Sequence, residues 1–326
     1  MTEKMTDVTA LGELLIDFVQ SGSGPQGNPL FEANPGGAPA NVLAMLGKLG
    51  RRCAFLGKVG RDAFGDRLEK TLKALGIDTE GLCRDERIPT TLAIVHTQPG
   101  GDREFSFYRK PGADLMLRPE DLAEEKLAGC RIFHFGTLSL TDEPCRSATK
   151  KAVELARSAG ALISFDPNLR LPLWESEEAA KEQILWGMAQ ADIVKISDNE
   201  VSFLTGTEDY PAGAAQLKAQ FPNIRLLDLT MGAEGSQAFY KSGSVFEPAL
   251  HLGGVIETSG AGDTFGALIL NFLLDHELGS LSEEDLHRML KTANAAAYLV
   301  TTKRGVIPSL PEKEDIRRLL EETERN

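Results

Sequence analysis

The sequence predicts an α/β fold, a central and mostly parallel sheet flanked by helices, carried as one domain over residues 1–326. Three observations lead there. Short apolar runs alternate with longer amphipathic stretches, the pattern of strands joined by crossover helices. Within the longer stretches the apolar residues keep helical spacing: Val42, Met45, Leu46 and Leu49 stand at i, i+3, i+4 and i+7 and form one stripe. No internal repeat, low-complexity tract or long linker divides the chain, and 326 residues with 42% hydrophobic content suffice for a sizeable core.

Strands are expected at residues 8–12, 53–57, 131–135, 162–165, 192–196 and 225–230, with helices at 38–49, 63–75, 144–159, 178–189 and 213–220. Two regions break this rhythm. Ser21-Gly22-Ser23-Gly24-Pro25-Gln26-Gly27 is turn-rich and without helical pattern. Farther on, two strand-like runs, 91–97 and 104–108, flank Pro99-Gly100-Gly101-Asp102, a hairpin signal. Strands without helices of their own suggest a small lid, formed by about residues 14–33 and 89–112. The chain ends in helices expected at 262–274, 282–300 and 313–322, the second opened by Ser282 with Asp285 three residues on.

Composition excludes several functions. Against 48 acidic residues stand 35 basic ones, a net charge of −13 and a pI near 5.0. Such a chain lacks the footprint of a nucleic-acid or anionic-membrane binder, so any phosphate must be held locally. Cys53, Cys83, Cys130 and Cys145 are far apart, and none of the five histidines forms an H-x-x-x-H pair. A zinc site or a disulfide framework is therefore not expected. Residues 1–7 are polar and of mixed charge, unlike a signal peptide, and no apolar run approaches the ~20 residues of a membrane span. A cytoplasmic location is expected.

Chemistry concentrates in Glu257-Thr258-Ser259-Gly260-Ala261-Gly262-Asp263-Thr264-Phe265. A glycine-rich turn running into a helix exposes consecutive backbone N–H groups at the helix's positive end, which makes an anion site. Asp263 in the first turn would lie beside the anion, placed to take a proton from an incoming hydroxyl. Two further segments have related character. Pro35-Gly36-Gly37-Ala38-Pro39-Ala40-Asn41 precedes a helix, and Leu56-Gly57-Lys58-Val59-Gly60-Arg61-Asp62-Ala63-Phe64-Gly65 follows a strand. A dinucleotide-binding oxidoreductase is disfavoured, because Leu11-Gly12-Glu13-Leu14 stands where G-x-G-x-x-G would follow the first strand. Walker-A spacing fails too, with Arg52 in the place of its first glycine.

Taken together these segments resemble the two signature regions of the ribokinase/PfkB family of sugar kinases, and the resemblance spans essentially the whole chain. The strings Gly12-Glu13-Leu14-Leu15-Ile16-Asp17-Phe18, Phe107-Tyr108-Arg109, Phe133-His134-Phe135-Gly136, Asp166-Pro167-Asn168-Leu169-Arg170-Leu171-Pro172-Leu173-Trp174 and Arg304-Gly305-Val306-Ile307-Pro308 are most similar to its fructokinase branch. The resemblance implies a ribokinase-like fold and an ATP-dependent kinase acting on the 6-hydroxyl of fructose with Mg²⁺. It implies Asp263 as general base and Gly260, Ala261 and Gly262 as the anion hole. It puts Asp17, Gly37 and Asn41 on the sugar, with Arg109, Asn168 and Arg170 completing that pocket. Read without the resemblance, Arg109 is a surface salt-bridge arginine and Asn168 an Asx-turn residue.

The resemblance also implies that Thr230, Gly232 and Gly235, in Thr230-Met231-Gly232-Ala233-Glu234-Gly235, lie beside the ATP phosphates and ribose, with Asn294 near the adenine. The family's N-x-x-E motif appears as Ser197-Asp198-Asn199-Glu200, so Glu200 would organise magnesium indirectly while Ser197 departs from the pattern. A monovalent-cation site for K⁺ would draw, mostly through backbone carbonyls, on Glu257, Ser259, Val300, Lys303, Gly305 and Ser309, with Glu257 replacing the usual aspartate. Other implied readings are a 2-keto-3-deoxygluconate or nucleoside kinase, and a non-catalytic kinase-like interaction protein. A homodimer through the lid is a further expectation.

Overall fold

The computed structural model describes residues 5–97 and 103–325. The first part of the chain forms β1 (Thr6–Leu11), β2 (Leu15–Ser23), β3 (Pro29–Gly36), α1 (Ala38–Lys48), β4 (Cys53–Gly60), α2 (Ala63–Ala74) and β5 (Leu82–Asp85). Next come β6 (Leu92–Thr97), β7 (Arg103–Tyr108), α3 (Glu124–Ala128), β8 (Cys130–Gly136), α4 (Cys145–Ser158), β9 (Leu162–Asp166), α5 (Glu177–Gln190) and β10 (Ile193–Ser197). The remainder forms α6 (Asp198–Thr205), α7 (Tyr210–Gln220), β11 (Leu226–Thr230), β12 (Gly235–Tyr240), β13 (Gly243–Pro248), α8 (Ala261–Asp275), α9 (Glu283–Thr301) and α10 (Lys313–Arg325).

Nine strands make the central sheet, in the order β13-β12-β11-β10-β9-β8-β1-β4-β5. From β11 to β5 every pairing is parallel, while β12 and β13 add an antiparallel margin. Because strand side chains alternate between faces, the interior strands feed two cores. Ile193 faces the layer built by α1, α8 and α9, whereas Val194 and Ile196 face the layer of α4, α5 and α7. In that second core Phe133, Phe135 and Phe165 are almost wholly buried, with the rings of Phe135 and Phe165 4.9 Å apart. Each such ring contributes roughly 1.5–3 kcal/mol through burial.

The smaller sheet has the order β3-β2-β6-β7, with β2 and β6 parallel and the outer pairs antiparallel. Its strands β2 and β3 run through the stretch that reads as turn-rich; the turn itself is confined to residues 24–28, where Gly24 N–H donates to the Asn28 carbonyl at 2.7 Å. Phe18 anchors this sheet by an edge-on contact with Phe64 of α2, ring centroids 5.7 Å apart. The expected hairpin is present as β6 and β7, while the tip Pro99-Gly100-Gly101-Asp102 lies outside the described residues.

One polar group is out of place in this core. Asp228, in the middle of β11, is fully buried, and neither carboxylate oxygen has a hydrogen-bond partner among the described residues. Burial pushes its pKa well above the ordinary carboxylate range. An unmatched buried polar group costs about 1–3 kcal/mol. Asp228→Val is therefore expected to raise the urea midpoint by the equivalent of about 1–3 kcal/mol at pH 7. A lowered midpoint would mean that an internal water satisfies the acid.

Candidate active site

Parallel strands send all their C-terminal ends to one edge of a sheet, and ligands collect there. In this chain the ends of β9, β10 and β11 supply Asn168, Ser197 and Thr230 to a cavity of about 540 Å³, closed from the other side by the start of α8. A second, smaller space of about 100 Å³ adjoins it under the four-stranded sheet, lined by Leu15, Asp17 and Phe107 from that sheet and by Gly37 and Asn41 from the start of α1. Asn168, Arg170, Ser259, Gly260 and Asp263 border both spaces. Asp263 thus stands at the junction of the two.

Two glycines make the junction possible. Gly37, at φ 118°, lies against the backbone of Glu13, where a Cβ would come within 2.2 Å of the Glu13 carbonyl oxygen. Gly260 caps α8 in the left-handed region at φ 76°, and a Cβ there would strike Val306 at 2.3 Å. Both N-termini can therefore approach closely. Across the gap the Asn41 side-chain amide donates to Asp263 Oδ2 at 2.8 Å. Asn41 Oδ1 is buried with no protein partner among the described residues, an acceptor on the wall of the smaller space.

The electrostatics follow from burial. Desolvation raises the Asp263 pKa to about 6; nearby Asp166 acts in the same direction, while the Asn41 hydrogen bond, Lys195 and Arg170 oppose it. A carboxylate with that value is ionised at neutral pH and still basic enough to accept a proton. Glu13 is 3% exposed and pushed by burial to about 7, and its Oε1 accepts from Ala38 N–H at 2.7 Å. It thereby fixes the first turn of α1.

The remaining expected residues divide into groups. Asn168, in the left-handed region at φ 43°, donates its N–H to Asp166 Oδ1 at 3.1 Å, which sets the loop carrying Arg170. Glu200 accepts from Ser197 N–H at 2.9 Å and from Leu169 N–H at 2.8 Å, so it caps α6 and braces the same loop. Ser197 returns the cap through its hydroxyl. Thr230, Gly232 and Gly235 line the larger cavity, and Gly232 and Asn294 also border an adjoining, mostly apolar space of about 450 Å³. Asn294 uses its amide to hold Ser236 and the Glu247 and Pro248 carbonyls.

The two segments expected around a cation do meet. Glu257 N–H donates to the Thr301 carbonyl at 3.0 Å, and the Glu257 carboxylate accepts from Gly305 N–H at 3.2 Å. Glu257, Val300, Gly305 and Ser309 are buried, Ser259 lines the cavity beside Gly260, and Lys303 is exposed.

Arg109 requires a correction. It lines neither space; at 3% exposure its guanidinium is held by Asp114 at 2.6 Å, by the Thr141 hydroxyl at 2.9 Å and by the Leu138 carbonyl at 2.8 Å. A guanidinium in a dry interior needs such partners for its donors, and with them satisfied it sits behind the wall rather than in the pocket. Three residues that sequence reasoning passed over belong to the site. Glu13 supports α1, Asp166 supports the Asn168 loop, and Lys195 pairs with Asp166 Oδ2 at 2.9 Å beside the start of α8. The signal for Lys195 was a charge in the middle of an apolar run, Ile193-Val194-Lys195-Ile196.

The chain is also similar to proteins of known family. Residues 5–313 match the pfkB family carbohydrate kinase family. Fructokinase-2 of Solanum habrochaites is 41% identical over 315 residues, covering 96% of this chain and 95% of that one. A fructokinase from Xylella fastidiosa with bound ATP superposes with a TM-score of 0.89 at 30% identity, covering 98% of this chain and 99% of that one. A fructokinase from Vibrio cholerae O395 bound to fructose, ADP and a calcium ion gives 0.87 at 31% identity, over 98% and 100% of the two chains.

The raised pKa of Asp263 has a thermodynamic counterpart. The folded protein binds this proton more tightly than the unfolded chain, so the group destabilises the fold progressively as pH rises from 3.8 to about 6 and fully above that. Asp263→Asn removes this effect and keeps an acceptor for Asn41. It is expected to gain up to about 3 kcal/mol at pH 8 and nothing at pH 3.5, read from urea unfolding at the two pH values.

Proposed function

The chain belongs to the pfkB family of carbohydrate kinases, and from that premise we propose that it is a fructokinase: it transfers the γ-phosphoryl group of ATP to the 6-hydroxyl of D-fructose, giving fructose 6-phosphate and ADP. The observation that carries the reading is the Asn41–Asp263 hydrogen bond, because it fastens the base to the sugar-side pocket at the point where the two spaces meet. Asp17, Gly37 and Asn41 hold the sugar, with Asn168 and Arg170 on the side facing the nucleotide. Asp263 takes the proton of the attacking hydroxyl. The N–H groups of Gly260, Ala261 and Gly262 meet the charge that develops on the transferring group, an arrangement in which positioning and preset dipoles supply most of the catalysis. ATP would lie along Thr230, Gly232 and Gly235, with its base in the apolar space that Asn294 borders.

Residues 14–33 and 89–112 act in this reading as the lid over the sugar. Its inner face carries Leu15, Asp17 and Phe107, and its closure excludes water that would otherwise accept the phosphoryl group. Leu30 and Phe31, on the outer strand β3, are 51% and 38% exposed, and pairing of two copies through the lid would cover them. The protein works in the cytoplasm, where its cysteines stay reduced. In the fold none of Cys53, Cys83, Cys130 and Cys145 is in a disulfide, and no described helix is long and apolar enough to cross a membrane.

The donor set fits both ions the family implies. Both Glu200 oxygens accept backbone N–H groups, so Glu200 would reach a nucleotide-bound Mg²⁺ through water; that ion neutralises phosphate charge. The buried Glu257 carboxylate, with the carbonyls of Ser259, Val300, Lys303, Gly305 and Ser309, suits a large monovalent cation such as K⁺, which adds positive charge beside the anion hole.

Kinetic measurements test the reading. ADP release with MgATP across fructose, ribose, adenosine and 2-keto-3-deoxygluconate should show fructose well ahead; with fructose, Asp263→Asn should lower kcat by about 10²–10⁴, and wild-type kcat/KM should lose its value as pH falls through about 6. A different preferred sugar would reassign the substrate, and a mutant with near wild-type turnover would remove Asp263 from its role. Turnover should also be higher in potassium chloride than in sodium or tetramethylammonium chloride at equal ionic strength. Equal rates in all three would remove the cation and leave the kinase standing.

A further inference from the structure

Four stretches of chain cross between the central sheet and the small one. They lead from β1 into β2, from β3 into α1, from β5 into β6 and from β7 toward α3. One buried cluster of polar side chains reaches all four. On the crossing out of β7, Arg109 pairs with Asp114 at 2.6 Å, and both side chains are 2% exposed. With its other oxygen Asp114 accepts from the Thr91 hydroxyl, on the crossing into β6. The backbone ties the same two crossings, since Ala113 N–H donates to the Pro89 carbonyl at 3.0 Å. Glu13, on the crossing into β2, lies within the field of the Arg109 guanidinium. It accepts from Ala38 N–H at 2.7 Å, where β3 has passed into α1.

This cluster stands close to the part of the small sheet that borders the smaller space. Asp17 of β2 is opposite Ala93 of β6, and Ala93 is opposite Phe107 of β7, so the three form one rung across the sheet. Asp17 and Phe107 both line the smaller space. Thr91 precedes Ala93 by two positions and Arg109 follows Phe107 by two, which is about 7 Å of extended chain. Toward the central sheet the guanidinium donates to the Thr141 hydroxyl at 2.9 Å and to the Leu138 carbonyl at 2.8 Å. Leu138 lines the same space. Stability does not explain an ion pair this dry, because apolar residues of equal volume often do as well or better. What the pair supplies is direction. The planar fork holds its N–H donors at fixed angles, and here they set the root of the small sheet against the wall beneath it.

We propose that Arg109 is a positioning residue of the phosphoryl transfer, paired with Asp114 to pin the root of the lid so that Asp17 and Phe107 settle on the sugar in one register. The inference rests on the fructokinase reading of the site. Arg109 touches neither substrate. A tilt at the root shifts the rung by a similar amount, and about 1 Å there costs on the order of 10²-fold in rate. The pin acts on the sugar rather than the nucleotide, since none of Arg109, Asp114 and Thr91 borders the larger cavity. A lid that seats badly also admits water. The water oxygen then forms the bond to phosphorus that O6 otherwise forms, its proton goes to Asp263, and ADP and inorganic phosphate leave.

The test compares wild type with Arg109→Lys, Thr91→Val and the double variant Arg109→Met/Asp114→Leu, which strands no buried charge. The double variant is expected to keep a urea midpoint at or above that of wild type. Its KM for fructose should rise by at least about tenfold, with KM for ATP within about twofold of wild type. Arg109→Lys keeps the charge and loses the fork, so its KM for fructose should fall between those of wild type and the double variant. Thr91→Val is nearly isosteric, removes only the tie on the crossing into β6, and should raise KM for fructose about threefold or more. Released ADP should equal fructose 6-phosphate in wild type and exceed it in the double variant. In hydrogen exchange, fructose should protect β2 and β3 of wild type and leave them unprotected in the double variant. If the double variant does not fold, Thr91→Val and Arg109→Lys decide. A KM for fructose within about twofold of wild type in Thr91→Val, or in a folded double variant, would overturn the proposal. So would equal losses toward fructose and ATP, which a general loosening of the fold predicts. If wild type turns over another sugar and not fructose, the fructokinase reading fails, and the same comparison with that sugar still decides the role of Arg109.

Discussion

The 2.8 Å hydrogen bond from Asn41 to Asp263 joins two helix starts that are 222 positions apart in the chain. Everything around the cleft serves that meeting. Helices α1 and α8 lie on the same face of the central sheet and share one core, to which Leu43, Leu46, Phe265 and Leu268 belong. That shared core fixes the distance between the helices, and Gly37 and Gly260 let the chain enter each of them without a side chain in the way. Because a displacement of about 1 Å at a reacting centre can cost 10²-fold in rate, the packing of this core would bear directly on the chemistry proposed for Asp263. Arg109 belongs to the same logic from the opposite wall, since its ion pair with Asp114 and its bond to the Leu138 carbonyl hold a residue that borders the smaller space.

Around this junction the protein gathers carboxylates rather than cations. Glu13, Asp166 and Glu200 each accept at least one backbone N–H, so their negative ends organise turns and leave few donors unmatched. Glu13 and Asp263 have pKa values raised to about 7 and about 6, with burial the largest cause for both. A carboxylate shifted upward in this way is a better proton acceptor than one in water; Asp263 stays mostly ionised at neutral pH, while Glu13 is close to half-protonated there.

Much of this was legible in the residues. The apolar stripe of α1 and the Gly260–Asp263 turn carry their own signals, because helical period and glycine-before-helix are local patterns. The strands β2 and β3 were hidden, since Ser21, Gly22 and Ser23 read as turn residues, yet past a register shift at Ser21 the strand continues as Gly22 and Ser23 pair with Leu30 and Pro29 of β3. Strands β12 and β13 escaped because their connecting turn uses Lys241 at φ 51°, a position where glycine or asparagine would have announced a hairpin. Arg109 was misplaced for a different reason. Its partner Asp114 lies five residues on, across a cis peptide between Lys110 and Pro111, and nothing local shows that the chain folds back to pair them. Lys195 likewise finds its partner, Asp166 of β9, 29 positions away in the chain.

The unmatched acid in β11 also makes unfolding a proton-exchange reaction. Between the ordinary carboxylate value of 3.8 and its own raised one, Asp228 keeps in the fold a proton that the unfolded chain gives up. Stability therefore declines across that window as the solution becomes more alkaline, and each molecule that unfolds there passes a proton to the buffer. Heat measured during unfolding then contains the buffer's own protonation heat, so scans in phosphate and in an amine buffer at one pH yield different apparent enthalpies for the same transition.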